Sequence, residues 1–315
     1  MKHRVFGALA LLAIALCASG QHTGEAAPIL QSTAETDETA EPASAFVALE
    51  DSLKKMALRI IEPVADSARM ENNRQFYHEL VRVLETGGSF HHPFDSLQTV
   101  SMLMAPDSSF RIITWYVPLQ AQRFDYFGII QQSPDKQTDE LDGNTLLIHL
   151  HDSTSVIGST VFSELSPDKW FGAYYYQIIH ERSGDTDLYT LLGWKGDNPH
   201  TRLRVIEPLW FRDRQPVFGK QAFRIGQRDP FRIVFEYSAM AAMSLVYATR
   251  PVRPGQPARD MIVFDRLSPG DESMRGHYRF YLPEANVLDA LVFEDGIWVF
   301  YPDVDARAPQ SPPEE

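Results

Sequence analysis

From Gly88 onward the chain is a succession of short segments rich in Val, Ile, Phe, Tyr and Trp, separated by clusters of Pro, Gly, Asp, Asn and Ser. The segments "VSMLM", "FRIITWYV", "FDYFGIIQ", "TLLIHLH", "WFGAYYYQII", "DLYTLLGW", "FRIVFEY", "DMIVFDRL", "HYRFYL" and "GIWVFY" each read as a strand. β-branched and aromatic side chains suit a pleated, half-buried surface, and the intervening residues supply turns. Parallel strands need crossovers of a dozen or more residues, usually helical, and none lies between these segments. The pattern therefore predicts a mainly β fold, an antiparallel meander over residues 88–307. Its exposed edges require closure as a barrel or a sandwich. A propeller is the alternative, because "APDSSFRIITWYV" and "SPDKWFGAYYYQII" repeat a Pro-Asp turn before an aromatic strand. The stretch "SAMAAMSLVY" suits a helix by composition and a strand by its flanks.

Before Gly88 the apolar period is helical. Phe46, Leu49, Leu53, Met56 and Ile60 recur at that spacing, as do Phe76, Leu80 and Leu84 with Tyr77 and Val81 alongside. Pro63 separates two short helices within 46–87. Asp66 is the expected N-cap of the second, and Gly87-Gly88 its stop. Residues 21–45 and 308–315 are poor in large apolar groups and cannot bury enough surface to offset their ordering entropy. They read as a disordered tether and tail.

Residues 1–20 have a basic start, an apolar run from Val5 to Cys17, and small residues up to Gly20. That is the layout of a secretory signal peptide, too short to span a bilayer comfortably. The expectation is export to the periplasm, cell surface or exterior, with no integral membrane span in the mature chain. Acylation at Cys17 is the less favoured alternative, because Leu16 is bulky for cleavage before a lipidated cysteine. Cys17 is the only cysteine, so its removal leaves no thiol for disulfides, Cys-zinc sites or nucleophilic catalysis. The net charge of −13 disfavours nucleic acid and anionic membrane surfaces as partners.

Candidate chemistry is sparse. In "YYYQIIHERSGDTDLYTLLGWKGDN", Tyr174–His180 and Asp187–Trp194 read as a hairpin turning at Gly184-Asp185. Asp185, Asp187 and Asp197 lack the spacing of a calcium loop. His149 and His151 alternate along a strand, so they share a face and could meet one zinc. A third ligand is missing, and Asp152 points to the other side. Adjacent His91 and His92 diverge in an extended segment. Glu236 shares a strand face with Arg232 and fits an ion pair better than a general acid. With Asp265, Asp303 and Asp305 it completes the strand-end acids from which a glycosidase pair would have to come. Trp115, Trp170, Tyr174, Tyr176, Trp194 and Trp210 could stack on sugar rings or peptide aromatics, although strand aromatics mostly fill cores. No phosphate loop, nucleophile elbow, zincin or dinucleotide motif is present, and no cofactor is implied.

The segments "PFDSLQTVSMLMAPDSSFRIITWYVP", "YTLLGWKGDN", "FEYSAMAAMSL", "MIVFDRLSP" and "DVDAR" resemble a family of uncharacterised exported proteins of Bacteroidota. The resemblance spans most of residues 80–307. It implies export and a β-rich fold, and brings no activity or site. The sequence thus favours an exported, non-catalytic β protein that binds an envelope protein, a glycan or another ligand on its sheet or loops. The alternative is a secreted hydrolase of glycan or peptide using the strand-end carboxylates.

Overall fold

The apolar period before Gly88 becomes two helices. α1 is Ala40–Ile60 and α2 is Asp66–Leu84 in the computed structural model, which describes residues 40–62, 64–134, 146–156, 161–196, 198–226 and 229–304. α1 begins inside the stretch expected to be a tether. Ala and Glu favour a helix there, and Pro42 is tolerated in the first turn. Asp66 is the first residue of α2 rather than its cap: Ala65 holds the cap position, and the Asp66 carboxylate accepts the backbone N–H of Gln120 (3.0 Å). The chain leaves the helical segment through Gly88, whose φ of 84° is readily available only to glycine.

The remainder is mainly β, in three antiparallel sheets. β1 (Ser101–Met104), β2 (Phe110–Pro118), β3 (Phe124–Gln132) and β4 (Leu147–His151) form the first, in chain order. The second contains β5 (Tyr174–Ser183), β6 (Thr186–Gly196), β7 (Thr201–Arg212) and β10 (Ile233–Ser238) in the order β10-β7-β6-β5, with β8 (Gln215–Phe218) on the far end of β7. The third is β11 (Leu245–Pro251), β12 (Ala258–Pro269), β13 (Tyr281–Glu294), β14 (Ile297–Val304) and the two-residue β9 (Phe223–Arg224), the last paired in parallel with β14. "SAMAAMSLVY" resolves into turns followed by β11. "HYRFYL" begins as a 3-10 turn at Tyr278–Phe280 before β13 starts.

The sheets stack in layers, because strand alternation gives each of them two apolar faces. On β2, Ile113, Trp115 and Val117 pack under Leu53, Phe76 and Leu80 of the helices. Phe110, Ile112 and Tyr116 of the same strand face Tyr175, Leu191 and Val205 of the second sheet. The opposite face of the second sheet, with Leu192 and Ile206, meets Phe264, Leu291 and Trp298 of the third. Each fully buried aromatic or leucine here contributes roughly 1.5–3 kcal/mol. β6 is thus a central strand covered on both faces. The arrangement is sandwich-like, and among the described residues no sheet closes into a barrel. Helices cover the outer face of the first sheet, so it does not close a propeller ring against the third.

A buried polar network locks the second sheet. Arg232 and Glu207, both fully buried, pair at 2.6 Å. Tyr175 OH donates to the second Glu207 oxygen, and Trp170 Nε1 donates to Tyr175 OH at 2.9 Å. The Arg232 terminal nitrogens donate to the carbonyls of Ser163 and Phe218. Every charge in this network meets a partner, as burial requires.

Candidate ligand-binding site

The three described strand-end acids do not converge on a cleft. Glu236 on β10 lies opposite Leu203 of β7, and the partner of Arg232 is Glu207 instead of Glu236. Asp265 accepts the backbone N–H of Ser244 (2.7 Å). Asp303, largely exposed, sits 3.0 Å from Arg266, which also holds Asp289. Asp305 lies outside the described residues. None of the three described acids lines any of the clefts named below.

His149 and His151 share a face of β4, opposite Ile129 and Phe127 respectively, and that face looks toward the helices. Tyr77 OH meets His149 Nδ1 at 2.5 Å. Burial, with His151 nearby, lowers the His149 pKa below the usual imidazole range. Both rings border an open cleft of about 780 Å³ with Glu164 and Asp168. Among the described residues no three His, Cys, Asp or Glu side chains are grouped to hold a metal ion. Asp152 indeed points away, toward Lys195 (3.3 Å). His92 pairs with Glu50 of α1 (2.7 Å), which pins the post-helix segment.

The hairpin of β5 and β6 turns at Gly184, φ 63°, as its sequence requires. Asp187 accepts from His180 (3.0 Å), and His180 stacks on Tyr189 (4.7 Å). Tyr189 OH donates to Asp107 (3.1 Å), with Ser109 also bonded to that carboxylate. This network borders a cleft of about 420 Å³ and ties the β1–β2 turn to the second sheet. Asp197 lies outside the described residues.

The aromatic set divides. Trp115 is buried under α2 and donates to Asn73 (2.7 Å); Trp170 is buried in the network above. Trp210 stands apart, between Arg212 and Lys220. Tyr174, Tyr176 and Trp194 instead come together, half-buried, with Tyr116 of β2, a residue the sequence reading did not single out. Ring centroids of Tyr116 lie 5.8 Å from Tyr174 and 5.5 Å from Trp194, and Trp194 is 5.3 Å from Phe124. Ile61, Gln98, Thr99 and Arg204 complete an open cleft of about 450 Å³. That volume is within the range of small-molecule sites.

Local structure explains the gathering. A β-bulge between Tyr175 and Gln177 leaves Tyr176 unpaired against β6, so it departs from strict alternation. Gly193, opposite Tyr175, leaves room for that ring: a Cβ there would lie 2.9 Å from Tyr175 Cδ1. Tyr175 is thereby laid into the core while its neighbours reach the cleft. Tyr176 OH donates to Leu245 O (2.8 Å), and burial raises its pKa to about 12. Burial also raises that of Tyr174. Both phenols therefore stay protonated at neutral pH. Arg204 lies 5.3 Å over the Tyr176 ring and donates through Nε to Met243 O (3.1 Å). Stacking surfaces with hydroxyls and one cation at their edge can bind a ring-shaped, polar ligand, and among the described residues no acid pair lines them.

No protein-family model, no curated protein and no solved structure matches this chain.

Proposed function

We propose that the protein is an exported, non-catalytic binding protein whose aromatic cleft holds a sugar chain. The observation that carries this reading is the ring set Tyr116, Tyr174, Tyr176 and Trp194, which stays half-exposed around an open cleft while other large aromatics, such as Trp115, Trp170 and Trp298, are buried. Pyranose rings present C–H faces that pack on aromatic faces, and their hydroxyls need polar neighbours at the rim. Gln98, Thr99 and the phenols of Tyr116 and Tyr174 provide them. The separation of Glu236, Asp265 and Asp303 from this cleft supports binding over glycoside hydrolysis.

Calorimetric titration with a panel of oligosaccharides tests the reading. Binding is expected from at least one of them. Trp194→Ala, which removes a stacking ring from the cleft wall, is expected to weaken it about tenfold, corresponding to ~1.4 kcal/mol for a stacking contact. An unchanged circular dichroism spectrum would separate this loss from unfolding. Binding that Trp194→Ala leaves intact, or a preference for aromatic peptides over every sugar, would refute the reading.

A further inference from the structure

We infer that the cleft selects an acidic sugar, with the carboxylate of a uronate ring paired to Arg204; this rests on the glycan reading above. The chain has 42 Asp and Glu against 29 Lys and Arg, yet among the described residues no acid lines the cleft. Arg204 is half-buried there and, among the described residues, no carboxylate pairs with it. Arg232 and Arg266 are neutralised, by Glu207 and Asp289, whereas Arg111, buried beneath the helices, is held by the Gln131 amide oxygen and the carbonyls of His92 and Ser89. Arg202, two residues earlier on the same face of β7, repeats the pattern. Its guanidinium lies 5.8 Å over Phe124 and donates to Gln122 Oε1 and to backbone carbonyls, and among the described residues no acid is paired to it.

Two guanidiniums thus lie over aromatic rings, Arg204 also meeting the Tyr176 and Tyr237 hydroxyls, and among the described residues neither is paired with a carboxylate. A guanidinium edge presents parallel N–H donors that match a carboxylate in two-point geometry. Stacking on Tyr176 orients Arg204 in advance, so less freedom is lost when an anion arrives. A uronate combines the features this surface requires: an apolar ring face for Trp194 and the tyrosines, hydroxyls for the rim, and one carboxylate for Arg204. Arg202 adds field without lining the cleft.

The test titrates the full chain with hexuronate trisaccharides of galacturonate, mannuronate and glucuronate type, each beside its carboxyl-reduced neutral counterpart of the same linkage. At least one acidic form is expected to bind about tenfold or more tightly than its reduced form, the scale of a charge-assisted hydrogen bond. Added salt should shrink that advantage, Arg204→Gln should abolish it, and Arg204→Lys should retain part of it. Urea midpoints of the variants establish folding, and the comparison of ligands on the wild-type chain holds whether or not a variant folds. Equal binding of acidic and reduced forms would overturn the inference and leave the glycan reading standing. Absence of binding by both forms, and by the wider oligosaccharide panel, would overturn both.

Discussion

Replacing Glu207 with Gln keeps the shape of the side chain and removes its charge, leaving the Arg232 guanidinium in the second sheet without an anion. Both residues have no solvent exposure, and their contact is 2.6 Å. Removing one partner of such a buried pair destabilises by ~3–5 kcal/mol, because the remaining charge has lost its compensation. Tyr175 also loses its charged acceptor, although the amide oxygen can still receive that proton. With a urea m-value of about 3 kcal/mol/M for a domain of this size, the midpoint should fall by about 1–1.7 M. Fluorescence-monitored urea unfolding at constant m reads this directly. The pair must also behave as a unit. Glu207→Leu combined with Arg232→Met should lose no more stability than the worse single substitution, because no uncompensated charge remains buried. A loss under ~1 kcal/mol for Glu207→Gln, or additive losses in the double variant, would refute the argument that this network holds the sheet through paired charge.

Two further outcomes follow from the geometry. His149 has its pKa lowered by burial, so the unfolded chain binds that proton more readily and stability falls as pH drops below about 6.5; His149→Gln should show a shallower loss between pH 7.5 and 5 in equilibrium unfolding. Gly172, at φ 68°, has the Asp152 carboxyl carbon 2.3 Å from where a Cβ would sit, whereas Gly184, at φ 63°, has no atom within 4 Å. Thermal melts should therefore show Gly184→Ala losing about 1–2 kcal/mol to backbone strain alone, and Gly172→Ala losing clearly more.

The meander, the two helices and the Gly184 hairpin were legible because each rests on local periodicity or turn chemistry. β7 was not, although it lies between β6 and β10. Its sequence "TRLRVIEPLWFR" carries Pro208 and a buried Glu207, features that ordinarily argue against a central strand. Pro208 is accommodated where Gly219 N donates to its carbonyl, and Glu207 is accommodated by an arginine 25 residues away. No local pattern announces such a long-range partner, which is also why Arg232 was matched to Glu236 on their shared strand face. Within the candidate site, Tyr174, Tyr176 and Trp194 were visible as aromatics, but their meeting around one cleft depends on the pairing of Tyr174 with Trp194 and on the bulge that leaves Tyr176 unpaired. Tyr116 carried a usable signal: alternation in "FRIITWYV" places it on the face opposite Trp115. Arg204 belonged to the missed strand and was lost with it.

The most direct test of the cleft is the indole N–H region of a ¹H–¹⁵N correlation spectrum, recorded while oligogalacturonate or its carboxyl-reduced form is added. The chain has five tryptophans, and Trp194→Phe identifies the relevant signal. The Trp194 resonance is expected to move to saturation while those of buried Trp115, Trp170 and Trp298 stay in place. A ligand that binds and leaves Trp194 unmoved, or shifts only Trp210, would contradict the account.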